Sequence, residues 1–156
     1  MRLVLIEPDM PANVGACLRL AAGFLLDLEI VGAAGFPLDP TRIRRAAMDY
    51  ADLVAIRRWP DFAAFQFDAG SARTILFTTK GDLRFDAVDY AAGDALIFGS
   101  ESRGAPDAVH AAVDLRVRIP LQAAARSFNL ATAAAMALSM AYYKTGLIDD
   151  LERPPS

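Results

Sequence analysis

Short runs of apolar, β-branched and aromatic residues recur along the chain at Leu3 to Ile6, Leu28 to Val31, Leu53 to Ile56, Thr74 to Thr78, Ala95 to Phe98 and Leu115 to Ile119. Runs of this length read as buried strands. Helical patterns fall between most of them, at Asn13 to Ala22, Thr41 to Ala47, Asp61 to Phe65 and Pro106 to Ala111, with a long last helix from Asn129 to Lys144 that Gly146 ends. Strands alternating with helices predict an α/β domain, a mainly parallel sheet flanked by helices. Such sheets bind ligands beyond the carboxyl ends of their strands. The loops to inspect are therefore Pro8 to Asn13, Thr78 to Gly81, Gly99 to Ala105 and Pro120 to Phe128.

Length and composition sharpen this picture. A chain of 156 residues fits one domain, 1–156, and its 54% hydrophobic content supports a packed core rather than disorder. Cys17 is the single cysteine, which excludes an intramolecular disulfide and a multi-cysteine zinc site, and points to a reducing compartment, the cytosol. The opening apolar run stops at Glu7-Pro8, too short for a signal segment, and the longer apolar stretches are broken or too short to span a bilayer, so no membrane association is expected. A net charge of −3 argues against nonspecific coating of nucleic acid, leaving any RNA contact to local basic clusters.

The missing motifs narrow the chemistry. Neither G-x-G-x-x-G after the first strand nor G-x-x-x-x-G-K-[ST] occurs, so the usual dinucleotide and P-loop phosphate cradles are lacking. The single histidine, His110, sits in a short alanine-rich helix without a nucleophile pattern and reads as an ordinary surface or edge residue. Acidic residues are scattered singly, so no metal site is expected.

Three segments could carry chemistry. In Pro11 to Arg19, Asn13 is placed to cap a helix, and Arg19 follows nearly two turns on. The pair reads either as a capped helix with a solvated arginine or as two groups facing one cleft, the guanidinium taking a phosphate. In Phe98 to Pro106, glycines leave a buried strand and proline opens a helix, with Glu101 and Arg103 facing either water or a ligand. In Arg118 to Leu121 and Arg126 to Leu130, Ser127 or Asn129 can cap the longest helix, whose free N–H groups also suit a polar or anionic ligand.

In order and spacing these segments resemble the three motifs of the SPOUT methyltransferases, in the branch that methylates RNA ribose 2′-oxygens. The compact tRNA wobble-position group is closest, with Glu7-Pro8, Asn13-x-Gly15 with Arg19, Arg44-Arg45-Ala46, Asp49-Tyr50, Thr78-Thr79-Lys80-Gly81, Phe98-Gly99-x-Glu101-x-Arg103-Gly104 and Arg118-Ile119-Pro120. The resemblance covers essentially the whole chain and implies S-adenosylmethionine as methyl donor, a tRNA substrate methylated on the ribose of nucleotide 34, a C-terminal deep trefoil knot and a homodimer. By resemblance, Phe77, Thr78, Gly99, Ile119 and Ser127 contact the cofactor, while Arg19, Glu101, Ser127, Asn129 and Asn13 form the catalytic set. Three positions depart from the pattern: Ser100 stands where proline is frequent, Phe128 where methionine is usual, and Phe24-Leu25 where a Thr-Gly turn is common.

A ribose hydroxyl is a poor nucleophile, so it must be held in line with the methyl group and lose its proton during attack. Arginine is a weak base. Arg19 is therefore assigned to the phosphate beside the target, with that phosphate or a water taking the proton, and Glu101 orienting Arg19 or the substrate. Arg42, Arg44, Arg45, Arg57 and Arg58 are expected on RNA, with Lys80 and Arg126 nearer the pocket. The final helix, rich in alanine and methionine on all sides, is expected to be buried in the homodimer. Two competing readings are methylation of another tRNA or rRNA ribose, and a noncatalytic RNA- or ligand-binding module of the same fold.

Overall fold

The computed structural model describes residues 1–37, 39, 41, 50 and 54–152. Seven strands are described: β1 (Arg2–Ile6), β2 (Leu28–Val31), β3 (Ile56–Trp59), β4 (Thr74–Phe77), β5 (Leu83–Arg84), β6 (Ala95–Phe98) and β7 (Leu115–Arg118). All pair in parallel, in the order β3-β2-β1-β6-β4-β7-β5. In the interior strands successive side chains point to opposite faces; both faces of β1, β2, β4 and β6 are covered, which is why those strands are mostly apolar, while β7 leaves Arg116 exposed.

On one face, α1 (Pro11–Gly23) and α4 (Leu130–Thr145) pack over Leu3, Leu5, Ile75, Leu96 and Phe98. On the other, α2 (Phe62–Ala69) and α3 (Asp107–Ala112) bring Phe65 and Val109 onto Val4, Ile6, Leu76 and Ile97. The buried Glu29 carboxylate on β2 ties three strands together, accepting from Arg2 Nε and Nη2, both at 2.6 Å, and from Trp59 Nε1 at 2.7 Å. Its charge is fully paired, the condition for burying it.

The α/β class and mainly parallel sheet are as expected. β3, however, runs from Ile56 to Trp59 instead of Leu53 to Ile56. It is an edge strand whose register is set by Leu28 opposite Ile56, so Arg57 and Arg58 remain in solvent and no continuous apolar run marks it. β5 was not anticipated; two residues opposite Val117 and Arg118 are too few to leave a pattern. Of the expected helix at Thr41 to Ala47, all but Thr41 lies outside the described residues. α1 begins at Pro11 with Met10 at the cap position and no side-chain cap. Asn13 therefore does not cap the helix; it sits buried inside its first turn. Proline at the first helical position needs no N–H partner, which removes one of the donors a cap would satisfy.

β7 lies between β4 and β5, strands that precede it in the chain. The turn joining those two rests directly on β7: Thr78 N–H donates to Val117 O at 2.8 Å, Asp82 N–H to Arg116 O at 3.0 Å, and Arg118 Nη1 to the carbonyls of Gly81 and Asp82 at 2.8 Å each. Gly81 is required there, since a Cβ would lie 2.3 Å from the carbonyl carbon of Val117.

α4 is buried along Leu130, Ala134, Ala137, Leu138, Ala141 and Tyr142, a helical stripe on the sheet side. Its other side carries apolar residues into solvent, with Tyr143 73% exposed. Burial on all sides is thus not achieved within one chain. Among the described residues no helix is long and apolar enough to cross a membrane.

Candidate active site

The carboxyl ends of β4, β6 and β7 open into a cavity of about 570 Å³. Its floor includes Phe77 and Phe98, rings stacked 4.9 Å apart and nearly parallel. Apolar walls come from Ile119, Leu121 and Leu130, hydroxyls from Thr78, Thr79 and Ser127, cations from Lys80 and Arg126, and carboxylates from Glu101 and Asp107. A mostly apolar cleft with a few convergent polar groups is the usual form of a small-molecule site.

Three loops that are distant in sequence meet at this mouth. Glu7 follows β1, with a φ of 44° that is uncommon for a residue with a side chain. Its side chain lies over Gly32, where a Cβ would be 2.9 Å from Glu7 Cγ, and accepts from Arg103 Nη2 at 3.3 Å. The loop after β6 closes on itself through the reciprocal main-chain bonds of Ser100 and Gly104, at 3.1 and 2.9 Å, with Gly104 at φ 73°. Gly99 permits this closure: a Cβ on it would meet the nitrogen of Ala105 at 2.1 Å.

The carboxylate of Glu101 accepts from Asn13 Nδ2 and from the main-chain N–H of Asp9, both at 2.7 Å. Asn13 Oδ1 accepts in turn from Asn129 Nδ2 at 2.9 Å. Asn129 caps α4 through the N–H groups of Ala131 and Thr132, so cap and site role coincide. Asp9 also accepts both the N–H and the hydroxyl of Ser102, and those bonds hold its carboxyl below the usual range. Burial, with Glu101 adding to it, pushes the Cys17 thiol up to about 12, which leaves it inert beside the site.

The model of the SpoU rRNA Methylase family matches residues 1–139. The chain belongs to that family. It is 42% identical over 149 residues to a tRNA (cytidine(34)-2'-O)-methyltransferase of Beijerinckia indica, covering 94% of this chain and 92% of the relative. Among solved structures, one described as giving structural insights into the 2-OH methylation of C/U34 on tRNA superposes with a TM-score of 0.87 at 35% identity, covering 92% and 94% of the two chains. An AdoMet-bound rRNA methyltransferase from Sinorhizobium meliloti superposes at 0.82 with 23% identity, over 91% of this chain and 55% of that one. At that identity the likeness is one of fold.

Within this SpoU framework, Phe77, Thr78, Gly99, Ile119 and Ser127 all line the cavity, as do Asn13, Glu101, Asn129, Lys80 and Arg126. Arg19 does not. It stands six residues beyond Asn13 on α1, about 240° further round the helix, and is not among the residues that line the cavity. The Glu101 carboxylate accepts from Asn13 and from the Asp9 N–H. Arg57 is on the edge strand, paired with Asp27 at 3.0 Å, and Arg58 is exposed beside it, both remote from the cavity. Arg42, Arg44 and Arg45 lie outside the described residues.

Arg103, left by the sequence facing either water or a ligand, lines the cavity, while Asp9 and Ser102, bonded to each other beside it, carry no mark in the sequence. No local signal marks Asp9, because its partner is 93 positions away. His110, expected as an ordinary surface or edge residue, lines the cavity wall and a second depression beside it.

Proposed function

We propose that this chain is an S-adenosylmethionine-dependent methyltransferase that acts on the ribose 2′-hydroxyl of tRNA nucleotide 34. The observation that carries the reading is the joining of Asn13, Glu101 and Asn129 at one cavity mouth, in a chain similar over nearly its whole length to enzymes named for that reaction. Residues 1–156 would act as one cytosolic unit.

The lining fits the methyl donor. Stacked phenyl rings and aliphatic walls suit an adenine plane, Thr78 and Ser127 offer hydroxyls, and Glu101 and Asp107 put negative charge near a sulfonium, while Lys80 and Arg126 are left to the RNA. When bound, that group supplies an electrophilic methyl on a positively charged sulfur. The protein's work is then positional: Ser127 and Asn129 hold the ribose, Glu101 accepts a hydrogen bond from the hydroxyl, and the loops after β6 and β7 exclude water.

Arg19 is assigned to the phosphate beside the target, where that phosphate or a water takes the proton. Because Arg19 is not among the residues lining the cavity of its own chain, this role is assigned across a homodimer, whose contact would use the exposed apolar side of α4. The interleaving of β7 between β4 and β5, with the 78–82 turn seated on it, supports a trefoil knot in the C-terminal half.

The test is tRNA methylation with the purified protein, followed by mapping of 2′-O-methyl groups. The reading requires cofactor-dependent modification at nucleotide 34; modification only at another position, or in rRNA only, would redirect it to another ribose. Mixing Arg19→Ala with Glu101→Gln subunits should restore activity in the heterodimer if the two residues serve one site from different copies.

A further inference from the structure

The bonds across the cavity mouth run in a direction that the fold does not allow to reverse. Ala131 and Thr132 at the start of α4 can only donate, and both donate to Asn129 Oδ1, at 2.9 and 3.2 Å. The nitrogen of Asn129 must therefore face Asn13, whose oxygen receives it at 2.9 Å. That leaves Asn13 Nδ2 to donate to Glu101 Oε1 at 2.7 Å. The other carboxylate oxygen faces the Asp9 N–H at 2.7 Å, again a donor only. Turning either amide round would set donor against donor at the next joint, with the unmet hydrogen-bonding groups that such a clash leaves.

Asp9 holds the far end of this chain by a reciprocal clasp. Its N–H donates to the side chain of residue 101, while its own side chain accepts the N–H and hydroxyl of residue 102. From behind, Gly35 donates its N–H to Pro8 O at 2.9 Å and approaches so closely that a Cβ would lie 3.3 Å from the Asp9 Cα.

We propose that Glu101 meets the substrate only as a hydrogen-bond acceptor, and that Asp9 is the positioning residue that aims it. This rests on the methyltransferase reading above. With both oxygens already facing donors, the lone pairs left over can receive a further donor, such as a ribose O–H.

The experiment follows kcat and KM for tRNA methylation, with melting temperature, across Asp9→Ala, Asp9→Asn, Ser102→Ala, Ser102→Thr, Glu101→Gln and the double exchange Asn13→Asp with Glu101→Gln. Asp9→Ala should lower kcat on the order of 10- to 100-fold, as expected for loss of alignment, while KM for tRNA stays within about twofold. Ser102→Ala should fall the same way by less. Asp9→Asn and Ser102→Thr keep the main-chain bond and an acceptor or hydroxyl, and should recover most of what the alanines lose. The double exchange restores a donor facing an acceptor at every joint, with the bond between 13 and 101 reversed, the amide at 101 donating, and the charge moved to residue 13, so it should regain the melting temperature lost in Glu101→Gln without regaining kcat. Wild-type kcat in both alanine variants would overturn the role of Asp9, and recovery of kcat in the double exchange would overturn acceptance at residue 101. If Glu101→Gln alone runs at the wild-type rate, it is the underlying reading of Glu101 that fails.

Discussion

Replacing Gly99 by alanine tests whether the loop after β6 is closed as tightly as its geometry requires. The added Cβ would sit 2.1 Å from the nitrogen of Ala105, 2.3 Å from the carbonyl carbon of Gly104 and 2.9 Å from the Ala105 Cα. Every one of these atoms belongs to the backbone, so no side chain can swing aside. The nearest lies roughly 1.3 Å inside ordinary contact. Forced overpacking of this kind costs about 1–3 kcal/mol. The shift would also strain the two main-chain bonds between Ser100 and Gly104, each worth about 1 kcal/mol. Together they give a loss of about 2–5 kcal/mol, a fall in Tm of roughly 5–15 °C for a chain of this size. Differential scanning calorimetry beside Gly93→Ala provides the comparison, because a Cβ at Gly93 meets nothing within 4 Å and should change stability by about 0.5 kcal/mol or less. Cofactor titration by calorimetry should also show weakened binding in Gly99→Ala only. Equal melting temperatures for the two variants would refute the closure of residues 99–105 described above.

Leu25 carries a φ of 55° and is 76% exposed; Leu25→Gly should relieve strain of about 1–2 kcal/mol and, after the entropy glycine loses on folding, raise stability by about 0.5–1 kcal/mol in denaturant melts. The Asp114 carboxyl is held below its ordinary value by the hydroxyl and N–H of Thr74. Its contribution is therefore present above the unfolded pKa near ~3.9 and lost as pH falls through the lower folded value; Asp114→Asn should destabilise the protein at pH 7 and match it at pH 2 in melts across that range. Cys17 should resist iodoacetamide at pH 8 in the folded protein and react on unfolding, as read by mass spectrometry. Lys80→Ala and Arg126→Ala should raise the tRNA KM and flatten its salt dependence while the single-turnover rate at saturation holds.

Much of the architecture could be read directly from the residues. β1, β2, β4 and β6 are buried on both faces, so their largely apolar runs identify them within a residue, Leu115 and Val117 mark β7, and Gly146 ends α4 in the left-handed conformation that glycine favours. Edges are harder: Arg57 and Arg58 sit in β3 and both are exposed, and burial is what an apolar run reports. The site divides similarly. Residues of the loops after β4, β6 and β7 were legible because strand ends in a parallel sheet collect ligand-binding loops. The joints between them were not, since Asn13, Glu101 and Asn129 are separated by 88 and 116 positions along the two bonds that link them. Asparagine in a first turn reads as a cap by local rules, and only the packed fold reveals that Met10 holds that place and Asn13 turns inward.

The strand order constrains when this protein can finish folding during synthesis. β1, β2 and β3 are adjacent in space and in sequence, so a three-stranded piece can form as soon as residue 59 has left the ribosome. β4, made next, has no neighbour in that piece: its partners are β6 and β7, and β6 is also what joins it to β1. From residue 77 to residue 95 the nascent chain therefore carries an unpaired strand with the apolar run Ile75-Leu76-Phe77, and β7 must afterwards pair with β4 on one side and β5 on the other. Late, long-range pairing of this kind is slow and exposes sticky edges while it waits. Codon usage and chaperone contact in the stretch between β4 and β7 should accordingly affect yield more than equal changes near β2.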